Sequence, residues 1–202
     1  MKEIVDILRV FELHRGQPLA LATLVRAQGS SYRRPGARML VCPDGTTVGS
    51  LSGGCLEEEV ARRAFEVIRT GTASLMSFDT RLRFGCNGTI EIFVEAVRES
   101  FLAELAEHFA HRRSCRAMTV FSGAPEQLGT RMLGMEEKSL PDAFVQEIKA
   151  PIQILIFGDG PDSMPLRVVA PMSVKCFSFM EIVRALMPSP STMSMRKSSI
   201  AG

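Results

Sequence analysis

The sequence has little net charge, no long apolar run and no closely spaced cysteine pair. Its 24 basic and 22 acidic residues give a formal net charge of +2, which favours neither nucleic acid nor a membrane surface as the main partner. No stretch reaches the roughly 18 apolar residues of a membrane-spanning helix. The opening MKEIVDILRVFELHRGQ places charges among its apolar positions and does not resemble a signal peptide. These absences predict a cytoplasmic protein.

The five cysteines are odd in number and contain no C-x-x-C pair, which argues against a disulfide framework and against a structural zinc site. Each thiol therefore has to be considered singly. The histidines have no serine or cysteine neighbour in the sequence, so we expect them on the surface; they are His14, His108 and His111. A Walker phosphate-binding loop and a pair of catalytic carboxylates are also missing.

Hydrophobic spacing predicts helices over residues 3–14, over residues 101–112 and directly after Cys55. Strands are predicted in LALATLVRAQ, on both sides of the Asp44-Gly45 turn, and in TASLMSFDT, TIEIFVEAV and CRAMTVFSG. This pattern indicates an α/β protein. We expect a small N-terminal α/β domain with a mixed sheet over residues 1–122, followed by a linker or irregular hairpin over 123–150.

A second unit is predicted where IQILIFGDGPDS shows a buried strand and a glycine turn, the opening of a dinucleotide-binding motif. Such a site also needs a second strand ending in an acid about 20 residues further on. The candidate VVAPMSVKCFSFMEIV is interrupted by Pro171, and CFSFMEIVRAL is more typical of a helix. We therefore expect an incomplete Rossmann-like unit over residues 151–187, no NAD(P) binding, and a disordered tail over 188–202.

The stretch SGGCLEEE places a cysteine directly behind two glycines at the start of a predicted helix. Gly53 and Gly54 would let the backbone approach a ligand, and a helix beginning at Cys55 would point free N–H groups at it. Such a position favours an anion and lowers the pKa of a thiol, which predicts a partly ionised Cys55 able to bind a soft metal. Alternatively, the glycines form a tight turn and Cys55 packs as a small hydrophobic residue.

Two further motifs carry weaker signals. In SSYRRPG, Arg33 and Arg34 on a loop stiffened by proline could clamp a phosphate or a carboxylate, although adjacent loop arginines are often simply solvated. In FGCNGTIE, Cys86 lies between glycines before a strand, and a packed turn cysteine is the simpler interpretation.

Together, ATLVRAQGSSYRRPGARMLV, DGTTVGSLSGGCLEEEV and FGCNGTIEIFVE resemble the XdhC/CoxI family of maturation factors for molybdenum hydroxylases. The likeness covers about residues 10–97 and depends on the order and spacing of the three motifs. It implies a small α/β domain followed by a Rossmann-like domain, and a cofactor chaperone rather than an enzyme. Such a protein binds molybdenum cofactor (molybdopterin) while a cysteine desulfurase installs its terminal sulfur. It then delivers the cofactor to a molybdenum hydroxylase apoenzyme of the xanthine dehydrogenase or CO dehydrogenase type.

The resemblance also implies a set of site residues. The cysteine of the family's G-G-C motif falls on Cys55, which would contact molybdenum or exchange sulfur, while the glycines would supply backbone and the arginines would contact phosphate. The implied cofactor-binding residues are Cys55, Gly53, Gly54, Arg33, Arg34 and Cys86, with Cys55 also the metal contact.

The chain departs from the family after GDGPDS, because too few residues follow to complete a Rossmann domain. We expect either a shortened chain or a changed reading frame near Met164, with exposed sheet edges that favour homo-oligomers. Two other functions remain open at this point. One is an NAD(P)-binding oxidoreductase, and the other is a protein-interaction module that binds no cofactor.

Overall fold

The structure is a computed structural model that describes residues 2–81, 87–134, 136–150, 154–157 and 174–177, the last two ranges by their backbone only. The chain divides into two compact units, Met1–Ala150 and Pro151–Gly202. No helix in the described part of the chain is long and apolar enough to cross a membrane.

The first unit contains α-helices on the two faces of a sheet. The helices are α1 (Lys2–Leu13), α2 (Glu57–Thr70) and α3 (Glu99–Ala110), with a short 3-10 helix at Pro125–Gln127. The strands are β1 (Ala20–Gly29), β2 (Arg38–Val41), β3 (Thr47–Gly49), β4 (Ser74–Asp79), β5 (Gly88–Ala96), β6 (Cys115–Val120), β7 (Gly129–Leu133) and β8 (Ala143–Ile148).

The first five strands form one sheet in the order β3-β2-β1-β5-β4. The predicted α/β class is confirmed, but the mixed sheet expected for this domain is not what forms, because all four strand pairings are antiparallel. Parallel neighbours need long crossover connections, whereas most of these strands follow one another through short loops. The one helical connection, α2, runs from edge strand β3 to the opposite edge strand β4 and so creates no parallel pair.

Helix α2 covers one face of this sheet because its apolar residues recur at helical spacing. Val60, Ala64 and Val67 are buried against β1, β2 and β5. The helix ends at Gly71, whose φ of 70° is the left-handed conformation in which glycine closes helices. The predicted helix after Cys55 therefore forms, starting at Glu57 with Leu56 as its N-cap residue.

The other face of the sheet packs on α1, α3 and a second sheet. Phe11 of α1 and Leu102 of α3 are buried together with Leu21 and Leu40 of the first sheet. The second sheet has the order β7-β6-β8. Residues 123–150, expected as a linker or irregular hairpin, thus contribute two strands that both pair with β6. Each is short and has little hydrophobic periodicity, so the pairing with β6 decides their conformation.

A layer of polar side chains is buried between the two sheets, and we call it the inter-sheet layer. Its members are Thr23, Arg38, Glu95, Thr119 and Thr130. Glu95 accepts hydrogen bonds from the amide (2.8 Å) and the hydroxyl of Thr130, and Arg38 donates to Gln146 of β8. The sequence patterns did not indicate this layer, since its residues come from five different strands.

In the second unit, β9 (Ile154–Phe157) and β10 (Val174–Phe177) pair in parallel. The strand predicted in IQILIFGDGPDS is confirmed, and Cys176 and Phe177, expected in a helix, are in a strand. The glycine turn with Gly158 and Gly160, the region near Met164 and the tail lie outside the described residues. The Rossmann-like unit therefore stays a prediction.

Candidate functional site

The three sequence motifs meet around one pocket of about 190 Å³, which we call the Cys55 pocket. One wall comes from the loop after β1, a second from the segment between β3 and α2, and a third from residues at the ends of β4 and β5. The described lining residues are Ser31, Tyr32, Leu51, Ser52, Gly53, Cys55, Leu56, Thr80 and Ile90. The tertiary structure thus brings together segments that are separated by about 20 to 30 residues in the chain.

The adjacent strands β1 and β5 bring the first and third motifs into contact. The amide of Ser30 donates to the carbonyl of Asn87 (3.0 Å), and the amide of Asn87 donates to the hydroxyl of Ser30 (2.8 Å). A Cβ on Gly29 would lie 2.4 Å from the Asn87 carbonyl oxygen, so this approach requires glycine at position 29. Cys86, the preceding residue, lies outside the described residues, and its assignment stays a prediction.

Residues 50–56, which we call the Cys55 loop, are organised by the carboxylate of Glu57. Its Oε1 and Oε2 atoms accept seven hydrogen bonds from this loop. The donors are the amides of Leu51, Ser52, Gly53, Gly54 and Leu56 and the hydroxyls of Ser50 and Ser52, at 2.6–3.1 Å. A single side chain therefore satisfies nearly every amide of the loop.

This arrangement means that the predicted anion-binding position is already filled. The N–H groups predicted to face an external anion donate instead to Glu57 of the chain itself. Partial burial alone would raise the pKa of Glu57, but the hydrogen bonds from Ser52, Leu51 and Ser50 hold that pKa well below its ordinary value of 4.5. Glu57 is therefore ionised at neutral pH, and it occupies the anion position of this loop.

The thiol of Cys55 is exposed, whereas Cys42 and Cys115, the other free cysteines in the described part of the chain, are buried. The alternative in which Cys55 packs as a small hydrophobic residue is therefore wrong. Its backbone is held in place because its amide donates to the hydroxyl of Ser52 (3.1 Å). The loop presents this thiol to solvent at the edge of the pocket.

The two glycines before Cys55 have different surroundings. Both have positive φ angles, 85° at Gly53 and 117° at Gly54. A Cβ on Gly53 would lie 2.6 Å from the Tyr32 ring, while a Cβ on Gly54 would meet nothing within 4 Å. The close approach at Gly53 is thus to Tyr32. Tyr32 was missed as a site residue from the sequence although it lies within the SSYRRPG motif.

The two arginines of that motif do not line the described part of the pocket. Arg33 is paired with Glu3 of α1, so its guanidinium is already engaged by an acidic group. Arg34 is exposed in the next position. Phosphate contact by either arginine stays a prediction, and the ion pair makes Arg34 the better candidate.

Known proteins share this chain's sequence features. Residues 12–79 match the profile of the XdhC and CoxI family. A probable xanthine dehydrogenase subunit from Bacillus subtilis (strain 168) is 28% identical over 186 residues, which cover 74% of this chain and 55% of that protein. The molybdenum cofactor insertion chaperone PaoD of Escherichia coli (strain K12) is 31% identical over 99 residues, covering 44% of this chain and 29% of that protein.

A solved structure shares the fold. The crystal structure of a xanthine dehydrogenase from Bacillus halodurans at 2.80 Å resolution superposes with a TM-score of 0.67 and 26% sequence identity, covering 86% of this chain and 61% of that one. The chain spans about half the length of the first curated relative and less of the second. The resemblance predicted from the three motifs is confirmed, because residues 12–79 of this chain match the XdhC and CoxI family.

Proposed function

We propose that this chain is an accessory factor that binds molybdenum cofactor and supports its insertion into a molybdenum hydroxylase. The match of residues 12–79 to the XdhC and CoxI family and the similarity to the Escherichia coli molybdenum cofactor insertion chaperone support this role. The observation that carries the proposal is that the three family motifs converge on one pocket whose edge bears the exposed thiol of Cys55.

The donor set of the pocket fits the metal-bearing end of this cofactor. A cysteine thiolate is a ligand that soft metal centres prefer. The hydroxyl protons of Ser31, Ser52 and Thr80 are already donated to the Arg33 carbonyl, the Glu57 carboxylate and the Gly88 carbonyl, so these side chains shape the pocket rather than donate to the cofactor. The exposed ring of Tyr32 offers an apolar face. When bound, the cofactor would supply the molybdenum centre that the recipient enzyme uses.

The size of the pocket indicates which part of the cofactor it holds. Pockets for drug-sized ligands enclose roughly 300–1,000 Å³. The described part of the Cys55 pocket encloses about 190 Å³, below that range, which favours the metal end of the cofactor over the whole molecule as its occupant. The phosphate would then lie outside it, and the exposed Arg34 is the group we assign to that contact.

Since Glu57 occupies the amides of the Cys55 loop, we assign this residue a positioning role. Its ionised carboxylate holds the loop in the conformation that presents Cys55, without itself contacting the cofactor. Its negative charge lies where an external anion would otherwise bind, so the amides of the Cys55 loop do not hold the phosphate of the cofactor. We propose two partners. A cysteine desulfurase would act while the cofactor receives its terminal sulfur, and the recipient apoenzyme would bind once the chain carries the finished cofactor.

The test is cofactor retention by the wild type and two Cys55 variants. Each protein is incubated with molybdenum cofactor without oxygen and desalted, and the molybdenum and pterin retained per chain are measured. We expect near-stoichiometric retention by the wild type and at least a tenfold loss in Cys55→Ser and Cys55→Ala. Because the side chain is exposed and the loop's hydrogen bonds use the Cys55 backbone, both variants should unfold at the same urea concentration as the wild type.

A Glu57→Ala variant separates the thiol from the loop that presents it. It retains Cys55 but lacks the seven hydrogen bonds, and we expect weak cofactor retention together with a changed rate of Cys55 alkylation by iodoacetamide. Equal retention by wild type and Cys55→Ser would refute the role of Cys55. A folded wild type that retains no cofactor would refute the proposed function as a whole.

A further inference from the structure

A second group of potential ligands lies outside the Cys55 pocket, at the end of α1 and the β2–β3 turn. It consists of His14, Cys42 and Asp44, whose donor atoms all lie within 4.8 Å of one another. None of the three is among the described residues that line the Cys55 pocket. His14 was expected at the surface, but its side chain is only 21% exposed.

The imidazole of His14 has the orientation that metal-binding histidines use. Its Nδ1 atom lies 3.0 Å from the carbonyl oxygen of Val10, one turn earlier in the chain. A carbonyl can only accept a hydrogen bond, so Nδ1 carries a proton, and in the neutral imidazole the lone pair is then on Nε2. Nε2 faces the Oδ2 atom of Asp44 at 4.0 Å. In metal-binding histidines, a hydrogen bond from one ring nitrogen to a carbonyl, like that from Nδ1 to Val10, fixes the tautomer in which the other nitrogen binds the metal.

The carboxylate of Asp44 is also held in place. Its Oδ1 atom accepts a hydrogen bond from the amide of Thr46 (2.9 Å), and its Oδ2 atom accepts one from the hydroxyl of Thr46 (3.0 Å). The turn itself is closed by the amide of Cys42, which donates to the carbonyl of Thr46 (2.9 Å). Each carboxylate oxygen retains lone pairs that could coordinate an ion.

An ion pair alone explains this cluster poorly. The His14–Asp44 separation of 4.0 Å is too long for a hydrogen bond, and Asp44 is 60% exposed, so direct attraction between the two is weak. Cys42 packs in the apolar core with Phe11 and Leu40, and its Sγ atom also lies within 4.8 Å of the donor atoms of His14 and Asp44. Nitrogen, sulfur and carboxylate donors together match the ligands of Zn²⁺. Ligand atoms of tetrahedral zinc lie roughly 3.3–3.8 Å apart, given metal–ligand bonds of about 2.0–2.3 Å, so the three donor atoms, which lie within 4.8 Å of one another, have to move closer by up to about 1 Å on binding the ion.

We propose that His14, Cys42 and Asp44 form a binding site for one divalent transition metal ion of the zinc class, with its fourth coordination position open to water. On binding, the thiol proton of Cys42 is released to solvent and the thiolate coordinates the metal. The ion joins the end of α1 to the β2–β3 turn, two segments about 30 residues apart in the chain. Cysteine spacing indicates only zinc sites whose cysteines lie close together in sequence, and the ligands of this site do not. This site is independent of the proposed function.

The experiment is a titration of the reduced, full-length protein with Co²⁺ in the absence of oxygen. Tetrahedral Co²⁺ bound to a thiolate has intense visible bands and a sulfur-to-cobalt charge-transfer band in the near ultraviolet. We expect one equivalent of Co²⁺ to give both signals and Zn²⁺ to displace it. The variants His14→Gln, Cys42→Ser and Asp44→Asn should each bind Co²⁺ at least tenfold more weakly, and Cys55→Ser should bind as the wild type does.

A second measurement, of thermal midpoints with and without metal, distinguishes loss of the metal site from misfolding of a variant. Asp44 is largely exposed, and Asn keeps the oxygen that accepts from the Thr46 amide, so Asp44→Asn should fold with a thermal midpoint only slightly below that of the wild type without metal. Zn²⁺ should raise the midpoint of the wild type and of Cys55→Ser but not that of Asp44→Asn. Absence of the charge-transfer band from the wild type, or a band that survives in Cys42→Ser and vanishes in Cys55→Ser, would overturn the proposal. Cofactor retention does not enter either measurement, so failure here is distinct from failure of the proposed function.

Discussion

Two glutamates of this protein, Glu57 and Glu95, lie in regions that shift the pKa of a carboxylate in opposite directions. Glu57 lies half-buried next to the Cys55 loop, where seven hydrogen bonds keep its pKa low. Glu95 is 4% exposed in the inter-sheet layer. Burial raises the pKa of Glu95, although the hydrogen bonds from Thr130 and the charges of Arg98 and Arg38 oppose that shift.

The difference lies in how completely each region satisfies its polar groups. In the Cys55 loop, the amides and the carboxylate satisfy one another. In the inter-sheet layer, Arg38 is 3% exposed, and its Nε and Nη2 atoms have no hydrogen-bond partner among the described residues. Burial lowers the pKa of Arg38 to about 10, so it is still charged at neutral pH. The polar groups of the Cys55 loop are thus satisfied, whereas the inter-sheet layer holds a buried charge that is only partly hydrogen-bonded.

The largest expected effect is that of Glu95→Ala. This change removes both hydrogen bonds from Thr130 and the acidic neighbour of a buried guanidinium. Leaving such groups unpaired costs about 3 kcal/mol or more. Urea unfolding at pH 7 would measure the loss. Glu95→Gln, which keeps the volume and one acceptor, should lose less, and a cost below about 1 kcal/mol for the alanine variant would mean that water replaces the carboxylate there.

A change of pH is expected to have a smaller effect on folding stability, with opposite signs for Glu57 and Glu95. The lowered pKa of Glu57 means that this residue contributes stability above its ordinary pKa of 4.5 and loses that contribution as the pH falls below it. The raised pKa of Glu95 means that the folded state disfavours its ionised form, so stability is lost as the pH rises above 4.5.

Unfolding free energies of wild type, Glu57→Gln and Glu95→Gln from pH 3 to pH 7 would test this contrast. The advantage of wild type over Glu57→Gln should grow between pH 3 and about pH 4.5. Relative to Glu95→Gln, the wild type should become less stable as the pH rises from about 4.5 to 7. Curves that change in the same direction would show that one of the two environments is misassigned.

The smallest effect concerns the two glycines before Cys55. Alanine at either position is strained by the positive φ, at about 1–3 kcal/mol. Only Gly53→Ala also clashes with Tyr32, so Tyr32→Ala should restore about 1 kcal/mol to Gly53→Ala and nothing to Gly54→Ala. A double-mutant cycle by urea unfolding measures this coupling, and equal couplings at both glycines would contradict the contact.

Much of the first unit could be predicted from local patterns. The apolar spacing of α2, the Asp44-Gly45 turn and the period-two strand β5 each depend on neighbours a few residues away, and all of them form. Strands β7 and β8 could not be predicted in this way. Each is short, and only the ladder with β6 selects an extended conformation for them.

The candidate site likewise has features that the local sequence predicted and features that it did not. The sequence placed Cys55 after two glycines at the start of a helix, and this holds to within two residues. It did not show that Glu57 fills the amides of the loop, since the stretch also fits a loop open to an external anion. Nor did it show that Arg33 is paired with Glu3, because that contact joins residues 30 positions apart.

The sequence by itself determined the helices of the first unit, the Asp44-Gly45 turn, the resemblance to the XdhC and CoxI family and the cysteine that the family motif marks, because these depend on local spacing and on short motifs. Only the tertiary structure decided which polar groups are already satisfied and which lie open: the carboxylate in the Cys55 loop, the buried charges between the sheets, and the meeting of His14 with Cys42 and Asp44. Hydrogen bonding, desolvation and metal coordination act over a few ångströms in space, and separation along the chain does not report that distance.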